Sequence, residues 1–213
     1  QSEYPDLAVF LGGFDNAVFA QADMLVLSPG VPLGTPQVRA AQQRGVSVLG
    51  DIELFARAAR APVVAITGSN GKSTVTTMLA TMAEAAGRRV LAGGNLGTPA
   101  LDLLEAAPPQ LYVLELSSFQ LKMTRSLRPA VATVLNLSAD HIDRHGSMEA
   151  YAAAKARIFK GARVAVAGRR FGPDEYLSDT QNTDGGMEPG KRAHLMVEGV
   201  EPGECALSFQ FDY

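Results

Sequence analysis

AITGSNGKSTVTTML, residues 65–79, decides how this chain is read. The apolar run PVVAIT (62–67) has the length and β-branched content of a buried strand. A glycine-rich turn follows, and then a segment with helical spacing of apolar residues. A strand, a tight glycine turn and a helix N-terminus together make an anion cradle. Turn N–H groups point inward and the helix dipole adds partial positive charge. Lys72 adds a mobile cation for outer phosphates, and Ser73 offers a hydroxyl to Mg²⁺. The general phosphate-loop pattern G-x-x-x-x-G-K-[ST] would need a glycine at position 66, which is Ile66; the first glycine is Gly68, so this turn is shorter. The plain alternative is a βα turn with an incidental lysine, but strand, turn, Lys-Ser-Thr and helix all agree on phosphate.

Around this core, 213 residues with 46% hydrophobic and 19% charged suffice for one large domain or two small ones. A net charge of −3 gives no argument for a nucleic-acid surface. The single cysteine, Cys205, cannot form an internal disulfide, which suits a reducing cytoplasmic setting. No apolar run approaches the ~20 residues that span a membrane, and QSEYPDLAVF has no signal-peptide pattern.

Glycines and prolines punctuate apolar strands and alanine-rich helices, which is α/β grammar. ADMLVLS (22–28) reads as a parallel strand ending in SPGVPLG. Thr35 caps a helix with Pro36 at its first position, VSVLG (46–50) is a strand, and Asp51 caps IELFARAAR. Residues 1–60 are therefore expected to be part of a doubly wound, Rossmann-like domain, and residues 61–213 a central domain with a mostly parallel sheet. In that second part a helix is expected over 72–86, with Val75, Met78, Leu79, Met82 and Ala86 on its inward stripe. Residues 99–106 are expected to be helical. LYVLEL (111–116), AVATVLNL (130–137) and ARVAVAG (162–168) are expected strands, and a helix runs from Ser147 to about Lys160. Beyond Gly168 the chain turns polar, with AHLMVEG and ALSFQF as expected antiparallel strands.

Several side chains carry candidate chemistry. Glu115 ends the strand LYVLEL, at the sheet edge where parallel sheets bind ligands; a metal-binding carboxylate and a solvated strand-end residue both fit that position. His141 and His145, four apart, have a zinc-like spacing. However, DHIDRHG reads as a loop with no third soft ligand, so His145 is expected to be a solvated loop residue. Lys155 lies four after Tyr151 and three before Ile158, on an apolar stripe. It is either a lysine snorkelling at the stripe's edge or a buried amine with a depressed pKa.

The variant T-G-[ST]-N-G-K-[ST] resembles the ATP-binding signature of the Mur ligase and folylpolyglutamate synthase superfamily. GDIELF (50–55), GGNLGTPAL (93–101), YVLELSSFQL (112–121) and DHIDRHGSMEAYAAAKARIF (140–159) stand in the order found in the D-glutamate-adding branch of the Mur ligases. LELSSFQL is the most diagnostic piece, and the likeness covers about residues 22–168. The resemblance implies a P-loop ATPase central domain with ATP on Gly68, Ser69, Asn70, Gly71, Lys72, Ser73 and Thr74. It implies two Mg²⁺ placed by Ser73, Glu115, His141 and Lys155, with Lys155 carbamylated by CO₂, and catalytic roles for Lys72, His141 and Lys155. It assigns Ser28, Gly30 and Asn95 to UDP-N-acetylmuramoyl-L-alanine, with Ser117 and Gln120 as further candidates for the same pocket. D-glutamate would be the second substrate, through an acyl-phosphate intermediate in peptidoglycan precursor synthesis.

The family has three domains. By that comparison the chain is expected to begin inside the first and end near the close of the second, with the C-terminal, amino-acid-binding domain absent. A monomer is expected. Two other readings stay open at this point: a Mur ligase adding another amino acid such as meso-diaminopimelate, and a nucleotide-binding module that turns nothing over.

Overall fold

The structure is a computed structural model, and it describes residues 6–167. The expected strands AHLMVEG and ALSFQF, and Cys205, lie outside the described residues. The chain divides into two units between Asp51 and Ile52.

The first unit holds helix α1 (Asn16–Gln21), strand β1 (Met24–Leu27), helix α2 (Pro36–Gln43) and strand β2 (Ser47–Gly50). β1 and β2 pair in parallel, Met24 opposite Ser47 and Leu27 opposite Gly50. Asp15 caps α1 by accepting from the backbone N–H groups of Ala17 and Val18. Thr35 stands at the N-cap of α2 with Pro36 at N1, as the spacing implies. Its hydroxyl does not cap, however, and donates instead to the Pro32 carbonyl at 2.7 Å, closing the preceding turn.

The second unit is a five-stranded parallel sheet of order β4-β5-β3-β6-β7, where β3 is Val63–Thr67, β4 Val90–Gly94, β5 Leu111–Glu115, β6 Val131–Val134 and β7 Val164–Ala167. Alternation along the strands supplies two faces, and both are covered. Val63, Ala65, Tyr112, Leu114, Ala132 and Val134 pack with Ile52 and Phe55 of helix α3 (Asp51–Ala58), Leu121 of helix α5 (Ser118–Lys122) and Ala152 of helix α7 (Met148–Ala156). Val64, Ile66, Val113 and Val131 face the other way, onto Ala80 and Ala83 of helix α4 (Lys72–Ala85). Each fully buried large apolar side chain is worth about 1.5–3 kcal/mol relative to exposure.

α3 belongs to this second core. Phe55 meets Tyr112 edge-on with ring centroids 5.0 Å apart. Glu53, 2% exposed, accepts from the backbone N–H of Arg125 and Ser126 and from the Ser126 hydroxyl at 2.7–3.0 Å. These contacts explain why the division falls at Asp51/Ile52, one helix before the boundary near residue 60 that the sequence led us to expect.

Two further expectations change. α4 buries Thr76, Ala80 and Ala83, with Val75 and Leu79 partly covered, while Met78 is 53% exposed. Small residues bring the helix axis close to the sheet, which turns the larger methionine outward. Residues 99–106 form only a short 3-10 turn at Asp102–Leu104, held by the buried Leu103. Among the described residues no helix is long and apolar enough to cross a membrane.

Candidate functional site

Because all five strands run in parallel, their C-terminal ends share one edge, and every expected site residue of the second unit except Lys155 lies at that edge, in a loop leaving it or near the start of the helix that follows. β3 runs into Gly68–Gly71. Gly71 is the N-cap of α4 and holds φ +77°, a left-handed conformation that glycine adopts without strain. Lys72, Ser73 and Thr74 form the first turn of α4, where backbone N–H groups have no helical partner.

The loop is fastened to the segment that follows β6. Ser69 N–H donates to the Asn136 carbonyl at 3.1 Å, and Asn70 N–H donates to Asn136 Oδ1 at 2.9 Å. Asn136 Nδ2 donates back to the Asn70 carbonyl at 3.0 Å. Ser138 N–H donates to Ser69 Oγ, whose own proton goes to the Ser138 carbonyl, both at 3.0 Å. Tyr151 OH lies 3.1 Å from Ser69 Oγ and is therefore the donor of that pair. Two of the expected phosphate-binding amides, those of Ser69 and Asn70, are thus committed to the protein. The amides at the start of α4, from Gly71 into its first turn, face no such commitment and can meet an anion. Lys72 Nζ donates to the Ser69 carbonyl at 3.0 Å, so its ammonium sits over the loop.

Lys155 is 2% exposed. Its Nζ donates to the Gly68 carbonyl at 2.8 Å and to Thr67 Oγ1 at 3.3 Å, and lies 4.8 Å from the Tyr151 ring centroid. Of the two sequence readings, the buried amine is the one observed. Burial lowers its pKa to about 8, helped by the Lys72 charge and opposed by Asp140 and Glu115.

Glu115, 3% exposed, ends β5. Asn95 holds it from the neighbouring strand: Asn95 N–H donates to the Glu115 carbonyl at 2.8 Å and Asn95 Nδ2 to Glu115 Oε1 at 2.9 Å. This approach requires Gly94, whose φ is +114° and whose added Cβ would clash with the Glu115 carbonyl oxygen. Gly94→Ala is therefore expected to cost about 3 kcal/mol, from backbone strain and a forced shift of Asn95. A chemical melt of the variant against the parent checks it.

Ser117 and Gln120 are brought together as a capping box on α5: Ser117 Oγ accepts from Gln120 N–H, and Gln120 Oε1 accepts from Ser117 N–H. Gln120 is buried. In the first unit, Ser28 and Gly30 lie exposed in the turn after β1, closed by Val31 N–H on the Ser28 carbonyl.

The two histidines differ. His141, exposed, is the N-cap of helix α6 (Ile142–His145) at φ +50°, a left-handed conformation that is uncommon outside glycine. Its Nε2 lies 3.6 Å from Asp140 Oδ2. His145 is not the solvated loop residue expected. The chain turns helical there and buries the ring between Phe119, stacked at 5.1 Å, and Tyr151, edge-on at 5.1 Å. His145 Nε2 pairs with Ser118 Oγ at 3.0 Å. Burial, then the charges of Lys122, His141, Lys155 and Arg144, lower its pKa to about 4, so it is neutral.

Among the described residues no group of three or more His, Cys, Asp or Glu side chains converges. Two of the donors at this edge, the Ser73 hydroxyl and the Glu115 carboxylate, are hard oxygens. That set fits Mg²⁺, which keeps waters and takes phosphate oxygens rather than an all-protein cage. It offers no thiolate or histidine cluster for a softer metal.

Residues 66–171 match the family model described as Mur ligase middle domain, and residues 2–50 the model described as Mur ligase MurD-like, N-terminal domain. The UDP-N-acetylmuramoylalanine–D-glutamate ligase of Nitrosococcus oceani is 58% identical over 166 residues, covering 78% of this chain and 37% of that protein. The protein of the same name from Pseudomonas fluorescens is 50% identical over 214 residues, covering 99% of this chain and 47% of the relative. The chain thus spans less than half the length of these curated relatives. Among solved structures, the UDP-N-acetylmuramate:L-alanyl-gamma-D-glutamyl-meso-diaminopimelate ligase from Neisseria meningitides shares the fold. Its TM-score is 0.51 at 21% identity, over 78% of this chain and 59% of that one.

Proposed function

Since the chain belongs to the Mur ligase family, we propose that the whole protein is an ATP-dependent ligase joining D-glutamate to UDP-N-acetylmuramoyl-L-alanine. The observation that carries the reading is the phosphate loop at the sheet's C-terminal edge, with Lys72 over it and Glu115 on the same edge, in a chain whose relatives bear that activity in their names.

The alanine carboxylate attacks the γ-phosphorus of ATP; the bond to the ADP oxygen breaks and an acyl phosphate forms. The D-glutamate amine then attacks the acyl carbon, phosphate leaves with the C–O electron pair, and the amine loses a proton. The first-turn amides of α4 and the Lys72 ammonium stabilise negative charge on the transferring phosphoryl group. Mg²⁺, held by Ser73 and Glu115, would neutralise charge on the phosphate oxygens. A second Mg²⁺ would need His141 and a changed Lys155. As an ammonium donating to Gly68, Lys155 is no ligand. Its neutral amine can add CO₂, losing a proton to give a carbamate with two oxygen donors. Ser28, Gly30, Asn95, Ser117 and Gln120 remain our candidates for contact with the nucleotide sugar. Of these, Ser117 and Gln120 would act through the α5 cap. We take the setting to be cytoplasmic and the protein to be a monomer.

The test is phosphate release by the whole protein with ATP, Mg²⁺ and UDP-N-acetylmuramoyl-L-alanine, comparing D-glutamate, meso-diaminopimelate and L-lysine. Release with D-glutamate alone is expected. Release with another amino acid moves the protein to a different branch, and no release at all favours a binding module. Lys72→Ala is expected to lower kcat about a thousandfold, the size of losing one preorganised charge-stabilising group.

A further inference from the structure

We propose that Asn136 is a positioning residue for the nucleotide's phosphates, acting through the backbone of the loop; the inference rests on the ATP-binding reading above. Its side-chain amide pairs with the peptide of Asn70 in both directions, Oδ1 accepting from Asn70 N–H and Nδ2 donating to the Asn70 carbonyl, at 2.9 and 3.0 Å. A carboxamide so placed imitates one rung of a β-ladder. It extends the pairing of β3 with β6 beyond its last backbone bond, where Leu135 N–H meets the Thr67 carbonyl and Ser69 N–H the Asn136 carbonyl.

The consequence lies one residue further on. Asn70 precedes Gly71, the left-handed N-cap of α4. Fixing the peptide of Asn70 therefore fixes the direction in which the chain enters Gly71, and with it the aim of the first-turn amides. Asn70 and Asn136 are both exposed, whereas Gly68 and Ser69 are buried, so at Asn70 it is hydrogen bonds rather than burial that hold the loop. Ser138 repeats the device on the next residue pair, its hydroxyl accepting from Asn70 Nδ2 at 3.3 Å and its backbone closing on Ser69 Oγ. Asn136 need not touch a phosphate itself. It holds the loop in the conformation a phosphate needs.

The test compares ADP binding and UDP-N-acetylmuramoyl-L-alanine binding, by calorimetry on the whole protein, for the parent, Asn136→Ala and Asn136→Asp. Losing two hydrogen bonds that order the loop is expected to weaken ADP about tenfold in Asn136→Ala. The nucleotide-sugar affinity should stay within about twofold, the scatter of a change that leaves the rest of the protein intact. Asn136→Asp keeps the shape and the acceptor but loses the donor, and should also weaken ADP selectively. Unchanged ADP affinity in both variants overturns the proposal. So does equal loss of both ligands in both variants, which would assign Asn136 to the fold as a whole. A parent protein that binds no ADP would instead remove the nucleotide reading on which the proposal stands.

Discussion

Lys155→Ala in the whole protein is expected to reduce D-glutamate-dependent phosphate release about a thousandfold or more, and Lys155→Arg to reduce it nearly as much. The alanine variant removes a buried cation and leaves the Gly68 carbonyl and Thr67 Oγ1 without their donor. That disturbance alone would loosen the phosphate loop. The arginine variant separates two roles. If Lys155 served only as a cationic donor to Gly68, arginine would keep much of the activity. If the reaction needs a neutral amine there, arginine cannot supply one, because its guanidinium stays protonated. With a pKa of about 8, roughly a tenth of the Lys155 side chains are neutral at pH 7. The fraction competent to add CO₂ should therefore rise as pH increases through 8. Activity measured with and without added bicarbonate, from pH 7 to 9, checks this. An arginine variant within tenfold of the parent would sink the neutral-amine role.

Glu53 carries the largest expected effect on stability. Burial alone would push its pKa up. The backbone N–H groups of Arg125 and Ser126, the Ser126 hydroxyl and Arg57 outweigh that and lower it to about 2. The pair with Arg57 is half exposed on the arginine side and adds little. A carboxylate whose folded-state pKa lies below its unfolded value stabilises the fold above the unfolded pKa. That stability is lost as pH falls through the folded one. The linkage is worth about 3 kcal/mol, present above about pH 5 and lost progressively toward pH 2. Glu53→Ala leaves two backbone N–H groups and a hydroxyl without an acceptor, and is expected to cost about 3–5 kcal/mol at pH 7. Urea melts at pH 7 and pH 3 should show parent and variant converging in acid. Parallel losses at the two pH values would assign the acid sensitivity to other groups.

The parts of the fold legible in the sequence were those set by neighbouring residues. β3, the loop and α4 are contiguous, so the apolar run, Gly71 and Lys72 announce one another. β5 and β6 are buried on both faces and read as unbroken apolar runs. Lys155 could be placed on an apolar stripe because Tyr151 stands one turn before it on α7 and Ile158 follows in the 3-10 turn Arg157–Phe159 that continues the helix.

What could not be read depended on partners far along the chain. DHIDRH is polar and looks solvated, yet His145 is buried because Phe119 and Tyr151 close on it from two other helices. The inward face of α4 was placed only in part: Val75 and Leu79 pack on the sheet as expected, but the small Thr76, Ala80 and Ala83 take the closest positions and Met78 turns outward, which depends on how near the sheet lies. Asn136 showed no signal beyond its position after a strand. A polar residue on a loop becomes informative only when its partner is known. Glu53 was likewise hidden inside an amphipathic helix.

The central strand has a consequence for how the protein reaches its working state. β3 pairs with β5 and β6, and neither is its neighbour in sequence. The bonds that finish the phosphate loop join residues 66 and 87 positions apart, Asn70 with Asn136 and Lys155 with Gly68. Such closures are entropically costly and form late, after the long segments between them have condensed. A polypeptide emerging from the ribosome would present Gly68–Thr74 early but could not shape them until the helix bearing Lys155 had been made. The ordering of Gly68–Thr74 would then wait until synthesis has passed residue 155, so partly made chains would carry the sequence of the loop without its shape.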